Sequence, residues 1–367
     1  MQKIKKKVEV DFTLLSVLLL LVFIGVVMVF SASSYVALND PAYNDMYYFL
    51  KKQGTFAVVG LATMFYVLRI DYHKYKKWTL VFMLLTIPIN LAVFAFDPVK
   101  GAQRWIRFGP MNLQPSEIAK YVMVLFLAHS ISRKGDKMQS FLYGVLPYLG
   151  VAGAYAALVL IQKSLSITMV ILGTTLILLF VGGVKKKYFA IVLGLVFTFG
   201  VVFILIEPYR LERLLSFTDP FADPRGDGYQ LIQSWYALAS GGLLGQGLGQ
   251  SRQKCFFIPE PHNDFIFSII GEELGLVGCL FILFLFSVLI YRGIRIASKA
   301  KDTYGSLLAV GIISVIAIQT VINIAVVTGA MPVTGVPMPF ISYGGSSLVI
   351  NLASMGILLN ISSQTEK

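Results

Sequence analysis

The sequence predicts an all-α, polytopic integral membrane protein of about ten transmembrane helices, in a single domain over residues 1–367, with a large external loop between the seventh and eighth spans. Three observations predict it. Hydrophobic residues make up 56% of the chain and charged residues only 14%, against roughly 25% charged in an average soluble domain. Apolar runs recur at about the 20 residues that a helix needs to cross the hydrocarbon core. Most of the 31 lysines and arginines fall in alternate connections between those runs, as the positive-inside rule requires of cytoplasmic segments.

In chain order, the spans are expected over residues 12–33, 54–70, 79–96, 116–132, 141–161, 166–183, 188–206, 264–291, 304–328 and 343–361. The first follows Lys3, Lys5, Lys6 and Lys7, the flank of a signal peptide, and Ser31-Ala32-Ser33 would serve as a cleavage site. Its apolar region is too long for that and more spans follow, so it reads as an uncleaved first helix. The cytoplasmic connections are those with Arg69, Lys74, Lys76 and Lys77, with Arg133, Lys134 and Lys137, with Lys185, Lys186 and Lys187, and with Arg292, Arg295, Lys299 and Lys301. Both termini are then cytoplasmic. The net charge of +12 is largely this topology signal and indicates no nucleic-acid partner.

The longer connections, around residues 34–53, 97–115, 207–263 and 329–342, fall on the external side, where chemistry is expected. A loop as long as 207–263 is usually functional or disordered, and its Tyr229, Trp235, Tyr236 and dense glycines argue against simple disorder. Cys255 in this loop and Cys279 in a span make a structural disulfide unexpected and offer no metal-ligand spacing. His129 reads as a packed residue and His73 lies among cytoplasmic lysines.

Four external constellations each carry a structural and a functional reading. Arg104-Trp105-Ile106-Arg107, followed by Gln114-Pro115-Ser116-Glu117 and Lys120, is an interfacial tryptophan among cations before a helix with Ser116 as N-cap, or a grip on a phosphorylated lipid head group, for which arginine has a planar fork. Arg210 and Arg213 precede Gly228-Tyr229-Gln230 and the glycine run 241–249. That run lacks both the strand-first context and the Gly-Lys-Ser/Thr ending of a nucleotide loop, and reads as a packed re-entrant segment. Pro259-Glu260-Pro261-His262-Asn263-Asp264 gathers carboxylates at the mouth of a span, where acidic groups are rare and often functional. Asp264 is equally an N-cap. Glu272, about 12 Å deeper along a helix, and Glu273 are either supports of the site or structural groups bonded to Gln319 or Asn323 of the next span. Residues 328–347, rich in proline and glycine, cannot form regular helix, so at membrane depth they must be buried in protein or line a cavity.

Together Arg104-Trp105-Ile106, Gln114-Pro115-Ser116-Glu117, Gly228-Tyr229-Gln230 with Gln233-Ser234, Pro259-Glu260 with His262 and Asp264-Phe265, Glu272-Glu273-Leu274-Gly275, and Pro337-Met338-Pro339-Phe340-Ile341-Ser342-Tyr343-Gly344-Gly345 resemble the SEDS family (shape, elongation, division and sporulation). The match runs in order over nearly the whole chain, and the short tails look more like the FtsW and SpoVE branch than RodA. One departure is Gln162-Lys163-Ser164-Leu165-Ser166, where members often carry an acid or a histidine.

The resemblance implies a peptidoglycan glycosyltransferase of the bacterial cytoplasmic membrane, its active site facing outside, that polymerises lipid II in division, shape or sporulation. It implies Asp264 as the base. Arg104, Trp105, Arg107, Lys120, Arg210, Arg213, Glu260, His262 and Ser342 become the substrate-binding set, supported by Glu272, Glu273, Gln319 and Asn323. A divalent cation, Mg or Mn, is a possible helper, and a class B penicillin-binding protein transpeptidase is the implied partner. The competing readings are a lipid II flippase and a scaffold without chemistry. Transporters often show internal repeats and midplane ionisable groups, whereas here no repeat is visible and the acidic groups lie toward the outer face.

Overall fold

The computed structural model describes residues 10–98, 101–108, 111–206 and 208–365. Its helices are α1 Phe12–Asn39, α2 Tyr48–Leu68, α3 Lys74–Leu91, α4 Pro115–Ser132, α5 Phe141–Gly144, α6 Leu146–Ile161, α7 Leu165–Val181, α8 Lys186–Ile206, α9 Pro208–Thr218, α10 Tyr229–Gly241, α11 Ile266–Ser298, α12 Thr303–Val327 and α13 Gly345–Ser362. A helix lies over each segment expected to span, with α5 and α6 together over the fifth. Among the described residues, six of these stretches are long and apolar enough to cross a membrane, including α1, α11, α12 and α13. The only strands among the described residues are β1 Ile106–Phe108 and β2 Met111–Leu113, an antiparallel pair in which Arg107 faces Asn112.

Local chemistry sets the helix ends. Asp11 caps α1 by accepting the Leu14 N–H at 2.9 Å, and its carboxylate also takes two donors from Arg292 at the end of α11. The Asp11 N–H donates to Ser362 Oγ of α13 at 3.1 Å, so one residue ties three helices. Asp302 caps α12 through the Gly305 N–H and also accepts from the Tyr72 hydroxyl at 2.7 Å and Lys76 Nζ at 3.0 Å. Burial works against its ionisation, yet Tyr72, Lys76 and Gly305 hold the Asp302 carboxyl below the usual carboxylate range. In α3 the missing N–H of Pro88 precedes a 3₁₀ turn over Ala92–Ala95.

The core is built around α12, which packs on α4, α7, α11 and α13. In a bilayer, packing and interhelical hydrogen bonds drive helix association, because lipid is as apolar as leucine. Accordingly Thr174, Thr320, Asn351 and Ser354 are buried with the apolar residues, while peripheral α8 leaves Phe197 and Leu205 exposed. At one end of the bundle Tyr72 and Lys76 meet Asp302 and Asn360, and Asp11 meets Arg292 and Ser362. The segments 259–265 and 331–344 meet at the other.

Helix α11 is not continuous. Gly275 sits at φ 66°, ψ −166° inside it, a region essentially reserved for glycine. The break leaves backbone groups without helical partners, and the glycine-rich segment supplies them. Gln246 and Gly247 N–H groups donate to the carbonyls of Glu272 and Glu273 at 2.9 and 3.0 Å, and Leu276 and Val277 N–H groups donate to Gly242 and Leu243 carbonyls at 2.9 and 3.1 Å. The expected packed re-entrant segment is therefore a plug in a broken helix. A Cβ at Gly275 would lie 2.4 Å from Gly245 N and 2.5 Å from Leu243 O. Gly275→Ala should cost at least about 1–3 kcal/mol from backbone strain alone and sharply lower the melting temperature in detergent. Gly153→Ala on α6, where a Cβ meets nothing within 4 Å, should be neutral or slightly stabilising; equal melting temperatures for the two variants would refute the plugged break.

Candidate active site

Two irregular segments, 259–265 and 331–344, hold each other at the end of the bundle through side chains from α2 and α12. Asn323 of α12 donates from Nδ2 to the Asp264 carbonyl at 2.8 Å and to the Val336 carbonyl at 2.7 Å. Ser342 Oγ donates to the Asn263 carbonyl at 2.7 Å and accepts the Met338 N–H at 2.8 Å. The Tyr343 N–H donates to the His262 carbonyl at 2.9 Å. From α2, Gln53 meets the Ser342 carbonyl at 3.4 Å and the Gly344 N–H at 3.5 Å. Main chain that no helix satisfies thus finds partners in the opposite segment and in side chains of α2 and α12.

Asp264 is half-buried within this frame. A Cβ at Gly335 would lie 3.1 Å from its Oδ2, so the carboxylate rests against the backbone of the second segment. The N-cap position of α11 is Phe265, with no side-chain cap; the start of the helix does not account for the Asp264 carboxylate. The positive end of the α11 dipole nearby favours negative charge there. His262 is buried, its ring 4.2 Å from that of Phe49 and 5.5 Å from that of Tyr343. Burial, with Tyr48 and Tyr43 nearby, pushes the Tyr343 phenol up to about 12. Glu260 is exposed and accepts from Asn263 Nδ2 at 3.0 Å. Glu260 and Phe340 both hold left-handed backbone, φ 49° and 66°, a strain of order 1–3 kcal/mol each that persists only where the surroundings enforce it.

The cations are arranged less simply than their spacing suggests. Helix α4 starts with Pro115 after Gln114 as N-cap, so Ser116 is not the cap that the sequence suggested. Lys120 is 1% exposed and donates to Glu117 Oε2 at 2.9 Å and Gln319 Oε1 at 3.0 Å, while Ser347 donates to the same Glu117 oxygen at 2.7 Å. As placed, Lys120 joins α4 to α12, and a phosphate reaching it would compete with a buried ion pair. Arg107 on β1 is exposed and Trp105 half-buried. The Arg104 guanidinium donates to the carbonyls of Gln162 and Lys163, and Ser166 Oγ donates to the Thr334 carbonyl. The divergent 162–166 loop is thereby fastened between Arg104 and the second segment. The side chains of Arg210 and Arg213 lie outside the described residues.

Glu272 and Glu273 are bonded elsewhere than expected. Gln319 is engaged with Lys120, and Asn323 with Asp264 and Val336. Glu273 instead pairs with Lys254 Nζ at 2.9 Å and accepts from Ser31 Oγ of α1 at 2.5 Å. Glu272 accepts the Arg252 and Gln253 N–H groups at 2.9 and 3.3 Å and the Ser251 hydroxyl. The cause is the broken helix: the plug folds residues 251–254 back onto the carboxylates before the next span can reach them. Ser31, Gln53, Ser251 and Lys254 are contacts that the sequence reading missed, and none sits in a pattern that announces a partner so distant along the chain.

A family model described as "Cell cycle protein", covering FtsW, RodA and SpoVE, matches residues 12–367. Stage V sporulation protein E of Bacillus subtilis (strain 168) is 46% identical over 363 residues, with 97% of this chain and 98% of that protein aligned. The probable peptidoglycan glycosyltransferase FtsW of Trichlorobacter lovleyi is 43% identical over 361 residues, covering 97% and 93%. Among solved structures, a chain from a peptidoglycan synthase complex that coordinates polymerization and crosslinking superposes with a TM-score of 0.78 at 27% identity, covering 96% of this chain and 97% of that one. The rod shape determining protein RodA of Thermus thermophilus shares the fold, with a TM-score of 0.72 at 23% identity over 98% of each chain. With the family match running from α1 to the C-terminus and near-full-length relatives above 40% identity, the chain belongs to the FtsW/RodA/SpoVE family, the SEDS proteins.

Proposed function

We propose that this protein is a peptidoglycan glycosyltransferase that polymerises lipid II, the undecaprenyl-pyrophosphate-linked disaccharide pentapeptide, in division, shape or sporulation. It crosses the cytoplasmic membrane ten times with both termini inside, so that the 259–265 and 331–344 segments face outward. Its partner is a class B penicillin-binding protein transpeptidase, which crosslinks the strands. The observation that carries the catalytic reading is Asp264: a half-buried carboxylate, held at its own carbonyl by Asn323 and resting on Gly335, at a helix start that does not need it as a cap.

In this reading a GlcNAc 4-hydroxyl of one lipid II attacks the anomeric carbon of MurNAc on another. The new C–O bond forms as the bond to the lipid pyrophosphate breaks, with inversion, and the hydroxyl proton passes to Asp264. Positive charge must meet the leaving pyrophosphate. Exposed Arg107 on the hairpin is the first candidate for that contact, with Arg104, Arg210 and Arg213 as further candidates, while Lys120 acts through Glu117 and Gln319. Glu260, His262 and Ser342 shape the segment that carries Asp264. No three His, Cys, Asp or Glu side chains converge on a metal-sized site among the described residues. A Mg²⁺-type ion is usually held by one or two carboxylates together with substrate phosphates; a lone Asp264 that takes the hydroxyl proton on the face opposite the leaving group does not fit that role.

A transporter reading would draw on the broken helix, since discontinuous helices line transport sites. In α11, however, the backbone groups freed at Gly275 are paired with residues 242–247 and are not presented to a passing substrate. This favours the enzyme.

Asp264→Asn should keep a folded, partner-binding protein yet lower glycan polymerisation by about 100- to 10,000-fold, the usual contribution of a general base. Glu272→Gln should act mainly through stability. Purified Asp264→Asn that makes strands at close to the parent rate would remove Asp264 from the chemistry. Arg107→Ala should raise the lipid II concentration needed for half-maximal rate, with Lys186→Ala unchanged; equal effects of the two would argue against an external phosphate contact. A cysteine at exposed Ala222, with Cys255 replaced by Ser, should react with a membrane-impermeant thiol reagent in intact protoplasts. Labelling only after lysis would invert the topology.

A further inference from the structure

A half-open cavity of about 290 Å³ lies beside the Asp264 site, between the end of α9, the turn into α10 and the two irregular segments. Its wall includes Ser216, Arg225, Asp227, Tyr229 and Gln230. It touches the catalytic frame at two points: Pro259, five residues before Asp264, and Val333, two residues before Gly335. Consecutive Cα atoms are about 3.8 Å apart, so Val333 lies within ~8 Å of the glycine against which Asp264 rests.

The wall is built rigidly. The Asp223 carboxylate accepts the N–H groups of Gly226 and Asp227 at 3.0 and 3.3 Å, and the Gly228 N–H returns to the Asp223 carbonyl at 3.2 Å. A Cβ at Gly228 would lie 2.1 Å from the Pro220 carbonyl oxygen, so the turn closes only around glycine. Behind it, Ser234 Oγ of α10 lies 2.7 Å from Ser268 Oγ of α11 and 2.7 Å from the Val327 carbonyl of α12. The cavity wall and the frame of Asp264 therefore belong to one packed unit.

The described lining carries no excess of positive charge of the kind a pyrophosphate needs. Among the described lining residues the Arg225 guanidinium is balanced by the Asp227 carboxylate, alongside the Gln230 amide, the Ser216 and Tyr229 hydroxyls and the rings of Phe217 and Tyr229. Few placed polar groups beside an aromatic face are what an uncharged, hydroxyl-rich ligand needs for orientation, and the volume is at the lower end of the roughly 300–1,000 Å³ of small-molecule sites. We infer that this cavity is the acceptor subsite, which takes the sugar head group of the lipid II whose 4-hydroxyl is presented to Asp264, with Arg225 and Gln230 as its specificity-determining residues. The inference rests on the glycosyltransferase reading above and divides the two substrates: the acceptor's saccharide under α10, the donor's pyrophosphate toward the Arg107 hairpin.

The test uses the full chain with Ser216→Cys in a Cys255→Ser background, Cys279 being buried, and follows the rate of thiol modification. The probes are lipid-free GlcNAc-MurNAc-pentapeptide and, separately, undecaprenyl pyrophosphate. The saccharide should slow modification by about tenfold once it reaches ~10 times its Kd, because only the free site reacts, and undecaprenyl pyrophosphate should not. Arg225→Ala should remove most of that protection, whereas Asp264→Asn should keep it. If Ser216→Cys does not fold, Gln230→Cys is read in the same way. Protection by undecaprenyl pyrophosphate instead of the saccharide, or by neither while the parent polymerises lipid II, overturns the subsite and leaves the enzyme reading standing. An Asp264→Asn variant that still polymerises overturns the catalytic assignment while saccharide protection persists.

Discussion

One amide holds the working end of this bundle together. Asn323 Nδ2 has two hydrogens, and it gives one to the Asp264 carbonyl and the other to the Val336 carbonyl, each in a segment that forms no helix. Irregular backbone near the membrane is tolerated only when it is buried in protein or lines a cavity, and a buried carbonyl left without a donor costs about 1–3 kcal/mol. The clamp therefore does more than join two loops. It permits a proline-rich segment to lie across the end of α11 and fixes the carboxylate of Asp264 against Gly335. Ser342 and Gln53 add further bonds to the same frame, so in the proposed enzyme the carboxylate is positioned before any substrate arrives, which is how a site limits reorganisation during reaction.

The broken helix serves the same end from below. Gly275 interrupts α11 one turn after Glu272 and Glu273, and the plug from residues 242–247 restores the lost backbone pairing. Glu272 then gathers the turn at 251–253, and Glu273 pairs with Lys254 and Ser31. A buried ion pair is weak evidence of net stability, because desolvation opposes the attraction. What this one does is specify where the chain returns before entering the Pro259–Asp264 segment. The carboxylates conspicuous in the sequence thus divide by role, with Glu272 and Glu273 holding the approach and Asp264 left at the rim.

Much of this was legible in the sequence, and the exceptions have physical causes. Apolar runs of near-membrane length and the alternation of Lys and Arg located the helices, because the bilayer imposes both. The Asp264 segment stood out because carboxylates are costly beside a span. The break at Gly275 did not, since Gly275 looks no different from Gly271 and Gly278 in the apolar run 264–291 and its partners lie about thirty residues upstream. One of the two readings of Glu272 and Glu273 bonds them to Gln319 or Asn323 of the next span, and the plug prevents that by bringing Ser251 and Lys254 to them. Ser116 and Asp264 both read as N-caps from their residue type, yet Gln114 and Phe265 occupy those positions. Lys120 read as a candidate phosphate contact because its ion pair with Glu117 and its contact with Gln319 exist only once α4 and α12 are packed. The role of Gly228-Tyr229-Gln230 in walling a cavity depends on where α10 docks, which periodicity cannot tell.

The measurement that bears most directly on the account follows fluorescent lipid II in sealed vesicles containing the purified protein and its transpeptidase partner, with crosslinking blocked, and reads both strand length and transbilayer movement. The account predicts a ladder of glycan strands made from lipid II supplied on the face of the 259–265 and 331–344 segments, with no protein-dependent movement between leaflets. Protein-dependent movement of intact lipid II without strands would contradict it, and would make the site a passage instead of a polymerase.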